Sequence, residues 1–446
     1  MNKYSKNSLL IGFSTLALII PRLYYVERFA VSLPFWDQWD AEWLGLLKPW
    51  IEGKLQFQDL FIAHNEHRIL PTRIMTLFTF WLTGSWNNIV EARFNILFGA
   101  STPLLFIWTL ARTEKITGLK WLIIAVIIAG GSLPFSWENF LIGFQSQFYF
   151  VNLFTLASLI IAAHFHNRSW SVWVILFLSL ISILTLASGL LTPLAVIAVY
   201  LARAYFQRLL SAKTALLMII LFAMAVSAYF TMPRVEGHYI LHATTFSEFI
   251  STMLRLMGWP LRGSKLFIGV MWLPGLFFVS RMLFLRKQIG KTDLLMFGCL
   301  AWTAMQIVAL AYGRGHDSIH MPPRYAEVLL LGLAANSWFV LRLTSIQGKP
   351  VVRKAVWGVA AAFFVAVFFS YIQRSVLDFR VLKEERARRL TQTENVRNYL
   401  ATKDFSTINK PGFQIPYPDP KRLQMILNDS TLQEVLVIGN KVPPKK

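Results

Sequence analysis

From residue 8 to residue 373 the chain returns repeatedly to apolar runs long enough to cross about 30 Å of hydrocarbon. The runs fall near 8–26, 92–111, 120–135, 146–163, 170–187, 189–206, 214–231, 265–284, 292–312, 324–343 and 355–373. A backbone held in lipid must satisfy its own hydrogen bonds, so the expected fold class is an all-α membrane protein, a polytopic helical bundle of about eleven transmembrane helices. With 55% of residues hydrophobic and only 15% charged, a soluble enzyme is excluded.

The net charge of +21 does not indicate nucleic acid, because Lys and Arg fall in short clusters between the runs rather than along one stripe. Lys3/Lys6, Arg112/Lys115/Lys120, Arg203/Arg208/Lys213, Arg281/Arg286/Lys287/Lys291 and Arg342/Lys349/Arg353/Lys354 share one side if eleven crossings are made, and that side is expected to be the cytoplasm. This requires Ile69–Trp86, itself apolar, to stay on the outer side as an interfacial or re-entrant helix. Arg234, Arg255, Arg262, Lys265, Arg374 and Arg380 then lie outside, against the rule. No cleavage site follows the first apolar run, which reads as an uncleaved span, and Cys299 alone can form no disulfide within the chain.

Three parts follow: a membrane domain at 1–373, its first outer loop at 27–90 with juxtamembrane helices, and a small soluble α/β appendage at 374–446 on the outer side. The appendage comprises a charged helical stretch Leu382–Leu400, a Pro-rich stretch near 411–420 and a strand-like Glu434–Ile438.

The first outer loop opens with Pro34-Phe35-Trp36-Asp37-Gln38-Trp39-Asp40, and Trp43, Leu46, Leu47, Trp50 and Ile51 continue it at helical spacing. Such a helix is expected to lie in the bilayer interface, with Asp37 and Asp40 at its start. Asp37 as a helix N-cap explains the acids as well as a catalytic role does. Further along the loop, His64-Asn65-Glu66-His67-Arg68 gathers polar groups that need solvent or a ligand. The spacing is not that of a helical zinc site, and no metal ligands are assigned.

Two more outer segments carry polar groups. Glu138, Asn139, Gln145, Ser146 and Gln147 can serve sugar hydroxyls or helix-to-helix hydrogen bonds. The Gly/Pro-rich loop 312–325 holds Arg314, His316, Arg324 and Tyr325, where arginines can fork onto phosphate or anchor span ends at the headgroups.

An acidic residue just after the first span, an interfacial helix, a polar segment and a non-crossing apolar stretch together resemble the GT-C superfamily of polyprenyl-phosphate-sugar-dependent glycosyltransferases. The resemblance covers residues 8–373. It departs from the superfamily's usual acidic pairs in separating Asp37 from Asp40 by Gln38-Trp39, and His64-Asn65-Glu66-His67 stands where related enzymes often carry His-Pro-Pro. A bacterial branch is also similar in its Trp137–Phe148 segment and Arg324-Tyr325.

The resemblance implies sugar transfer from a polyprenyl-phosphate donor to a glycan, lipid or protein acceptor at the outer face of a bacterial inner membrane. It makes Asp37 the proton acceptor, with Asp40 or Glu66 as substitutes, and Arg314 and Arg324, with Arg68 as a third candidate, the phosphate ligands. His64, Asn65, His67, Glu138, Gln145, Gln147, His316 and Tyr325 complete the expected substrate-binding set. No cofactor is required, and a divalent Mg or Mn ion is left open. The rivals are a transporter or flippase, normally marked by ionisable residues near mid-span, and a non-enzymatic envelope assembly protein.

Overall fold

A computed structural model of the chain describes residues 3–207, 210–261, 265–285, 289–316, 321–345 and 349–439. Arg208, Arg262, Arg286 and Lys287 of the basic positions, and 317–320 of the last outer loop, lie outside the described residues. Among the described residues, ten helices are long and apolar enough to cross a membrane. The protein is therefore an all-α, multi-pass membrane bundle.

The eleventh expected span, 170–187, is a helix of 13 residues, Ser171–Ile183, about 20 Å long and shorter than the usual hydrocarbon thickness. It still connects the two ends of the bundle. Ser171 at its start bonds to the Arg168 carbonyl, close to His166 and Arg203, while Thr185 and Leu184 just past its end accept from the backbone N–H groups of Ile69 and Leu70.

Side-chain contacts sort the connections into these same two ends. At one, Asn7 donates to the Ala111 carbonyl, Thr292 to Glu114, and Arg342 pairs with Asp293. At the other, Arg68 reaches the Thr231 carbonyl, Glu66 meets His238, and Asn139 bonds to the Arg324 carbonyl. The helix Ala326–Thr344 is central, with 94% of its apolar window buried, whereas Ala212–Phe230 is peripheral at 17%. Close crossings use small residues: a Cβ on Gly298 would strike Val199 and Leu159, and one on Gly332 would strike Thr303.

The apolar segment after the first loop forms a helix over Leu70–Thr83, about 21 Å long. Both its ends lie at the second end of the bundle, for Leu70 bonds to Leu184 and Trp86 beyond it bonds to Val435. It does not cross, as expected. Its inner face carries Thr72, Arg73, Thr76 and Thr79, and its outer face exposes Ile74, Phe78, Trp81 and Leu82.

Three expectations are corrected. The appendage is not α/β: among the described residues there is no sheet, and the strand-like 434–438 makes only a single parallel bridge from Leu436 to Trp86. Trp86 sits in a short turn after Gly84, whose φ of +64° closes the preceding helix, so a longer ladder has no extended partner. The composition change near 374 is not a break in the chain's path either, because one helix runs unbroken from Pro350 to Thr402.

Nor do Trp39 and Trp43 of the first loop turn toward lipid. Residues Trp39–Leu47 form a wide π-type helix, and Trp39, Trp43 and Leu47 are fully buried against Trp86, Val396, Tyr399, Ile408, Leu423 and Leu427. An apolar stripe demands an apolar partner without saying which. Here the C-terminal segment supplies it, while Trp50 and Ile51 remain exposed.

Candidate functional site

The loop after the first helix turns sharply at Trp36, a non-glycine residue with φ of +49°. Two further left-handed residues are Asn65 (+51°), inside the polar segment, and Ile69 (+47°), just after it. Such conformations are costly, most of all for a β-branched isoleucine, and they gather where a structure over-determines a functional surface. The Trp36 N–H is fixed by the Pro416 carbonyl, so the C-terminal region holds this turn.

Gln38 rather than Asp37 occupies the N-cap position, and its side chain makes no capping bond. Its carbonyl instead accepts from the Phe35 N–H at 3.0 Å, and its amide donates to Glu42 at 2.9 Å. Asp37 is thereby left half-exposed, its Oδ1 3.7 Å from His64 Nε2. Partial burial pushes the Asp37 carboxyl up, but His64, then Arg324 and His67, outweigh it and hold it below the ordinary carboxylate value. The N-cap explanation is not the one this fold uses.

His64 and His67 close a tight turn by exchanging backbone hydrogen bonds of 2.7 and 3.0 Å. His67 Nδ1 accepts from the Ala187 N–H at 3.2 Å. Burial, with Arg314 and His64 adding to it, pushes the His67 imidazole down to about 4 against the opposing charges of Glu66 and Asp37. It is therefore neutral near pH 7 and keeps its proton on Nε2. His64 packs edge-on to Phe144, and its Nε2 has no hydrogen-bond partner among the described residues.

The remaining expected residues divide by partner. Glu66 is held by His238 at 2.8 Å and by Arg314 at 3.6 Å. Burial works against its charge, yet His238 foremost keeps its carboxyl below the ordinary value. Asp40 is turned away from Asp37 and anchors the C-terminal region through Tyr417 at 2.7 Å and Arg422 at 2.6 Å. Arg68 donates to the carbonyls of Phe61 and Thr231. Asn65 contributes its left-handed backbone to the turn.

Arg324 pairs with Glu138 at 2.7 Å and stacks on Tyr325, while Asn139 grips the Arg324 carbonyl. Gln145 and Gln147 are buried, each with a side-chain carbonyl that has no partner among the described residues. His316 meets Glu248 at 3.2 Å on the exposed rim. A small open groove lies beside this cluster, lined by Arg255, Leu256, Leu310, Arg314, Pro322 and Tyr325 among others. Asp37 is not among its walls. The structure thus brings Asp37, His64, His67 and Arg324 together, and ties Asp40 elsewhere.

Three features escaped the sequence reading. Arg22 lies in the first helix, buried, and donates to Glu327 at 2.7 Å and to the Gly131 carbonyl at 2.6 Å. Glu42 is buried in the first loop, bonded by Gln38, Trp86 and Thr76, with Glu91 close by. Burial pushes the Glu42 carboxyl up to about 7 despite those donors. Arg389 is buried under the loop against Phe35. For Arg389 a signal existed: it stands seven residues from both Leu382 and Val396, on the stripe that buries its helix.

Among the described residues no group of three His, Cys, Asp or Glu side chains is arranged to hold a metal ion. No family model matches the chain, no curated protein matches it, and no solved structure does.

Proposed function

We propose that this protein is a membrane glycosyltransferase that moves a sugar from a polyprenyl-phosphate donor to a glycan, lipid or protein acceptor at the outer face of a bacterial cytoplasmic membrane. The observation that carries the reading is the half-exposed, ionised Asp37 at one end of the bundle, within the field of Arg324 and beside His64. In the reaction the acceptor O–H proton passes to Asp37 as the acceptor oxygen bonds to the sugar's anomeric carbon. The bond from that carbon to the phosphate oxygen breaks, and the lipid phosphate departs with its charge facing Arg324. His64 is a positioning residue behind Asp37.

The apolar groove with Arg255 and Arg314 among its walls supports a lipid-borne donor, since it joins an apolar wall to cationic groups. Its wall includes Tyr325, on which Arg324 stacks. The test is incubation of the purified protein with a panel of polyprenyl-phosphate sugars and candidate acceptors. Asp37→Asn is expected to lower transfer by roughly 100-fold or more. Normal turnover in a correctly inserted Asp37→Asn removes the assignment.

One observation favours an ion-coupled transporter instead: the Arg22–Glu327 pair is buried between membrane helices, with side chains 1% and 6% exposed. Proton- or sodium-driven uptake into vesicles, with no transfer product, supports that reading over ours.

A further inference from the structure

Arg389 lies on the charged half of the Pro350–Thr402 helix, yet its side chain is 2% exposed. Among the described residues, neither its Nε nor one of its Nη atoms has a hydrogen-bond partner or access to solvent. Its guanidinium carbon sits 4.5 Å from the centroid of the Phe35 ring, two residues before Asp37. The two acids whose charge reaches it are engaged by other arginines: Glu385 by Arg388 and Glu138 by Arg324, each at 2.7 Å.

Burying a cation without a counter-ion is costly, and proteins do so where something else supplies the negative charge. The Phe35 ring attracts the cation through its π face but accepts none of the in-plane N–H groups. Those donors form a planar fork suited to a multi-oxygen anion. Depth points the same way. Leu382, two turns earlier, packs on Tyr25, Val26 and Phe29 at the end of the first membrane helix, so Arg389 lies about 10 Å further on, near the level of lipid headgroups.

We infer that Arg389, stacked on Phe35, binds a phosphate group, so that the C-terminal helix completes the site. This rests on the reading of the Asp37 surface as a substrate site and assigns that substrate a phosphate, carried by a lipid or free.

The test uses the full-length protein in nanodiscs, with thermal unfolding and equilibrium binding measured against farnesyl phosphate, inorganic phosphate and farnesol. Farnesyl phosphate is expected to bind wild type more tightly than farnesol, and Arg389→Met to weaken farnesyl phosphate roughly tenfold or more while leaving farnesol unchanged. Arg389→Lys, which keeps the charge but not the fork, is expected to fall between them and serves if the methionine variant does not fold. Arg422→Gln, which cuts the Asp40 tie in the same C-terminal region, is expected to bind as wild type does.

Inorganic phosphate binding as tightly as farnesyl phosphate assigns the site to a free anion, and binding of farnesyl phosphate alone assigns it to a lipid. Equal affinity of wild type for farnesol and farnesyl phosphate, or undiminished phosphate affinity in both Arg389 variants, overturns the inference. The readouts separate the two readings, because Asp37→Asn is read by transfer and the Arg389 variants by phosphate affinity. Loss of transfer therefore bears on the glycosyltransferase reading, and loss of affinity on Arg389.

Discussion

Single residues in the first loop divide by what restrains them. Asp37 and Asp40 are three positions apart, yet one is half-exposed beside a histidine and the other is clamped by Tyr417 and Arg422. Asp40→Asn is therefore expected to leave transfer close to wild type and to lower stability by about 0.5–1 kcal/mol, the scale of a partly exposed pair, measured by denaturant titration. Glu42 makes a different prediction. Burial raises its carboxyl from 4.5 to about 7, so between these values the folded protein holds a proton that the unfolded chain has released. Stability then falls as pH rises from about 4.5 to about 7. The melting temperature of wild type is expected to decline across this window, and Glu42→Gln to flatten the decline. A Glu42→Gln profile parallel to wild type would contradict it.

Secondary elements in this end of the molecule are stabilised by one another rather than by their own sequences. The π-type helix Trp39–Leu47 buries two tryptophans against the C-terminal helices, and Trp43 stacks on Trp86 with ring centroids 5.8 Å apart. Trp43→Ala is expected to cost about 3–5 kcal/mol, the range for a buried aromatic, and to loosen the C-terminal segment with it. Hydrogen exchange should show protection lost over 396–436 as well as over 39–47. Protection lost only around Trp43 would mean the two segments are stable independently. The partly exposed Lys48–Asp429 pair, 2.8 Å apart, adds little to this contact.

At the scale of the whole molecule, the first loop, the non-crossing helix and the C-terminal segment form one cap over one end of the membrane bundle. Cysteine labelling in intact cells is expected to place positions 37, 68 and 422 on one face and 115, 213 and 349 on the other. A split of 37 from 422 would refute the shared cap. Truncation after 402 removes Ile408, Leu423 and Leu427 from the core around Trp39 and Trp43. It should therefore reduce transfer although Asp37 and Arg389 both remain, with the loss read as lower active fraction rather than altered donor affinity.

Hydrophobic length alone determined the membrane class and the order of the spans, because an apolar run in lipid needs no knowledge of its neighbours, while the non-crossing of the equally apolar Ile69–Trp86 followed from the sidedness of the basic clusters. The Asp37 turn and the His64–His67 segment were legible too, as polar groups crowded beside an apolar span. Partnership was not legible. That Asp40 belongs to Arg422, that Trp39 and Trp43 face protein instead of lipid, and that Arg389 lies under Phe35 all depend on contacts between residues far apart in the chain. A charged run such as Leu382–Leu400 looks solvated until tertiary packing decides which of its faces is covered. Only the fold could turn one of its arginines into a buried cation beside the candidate site.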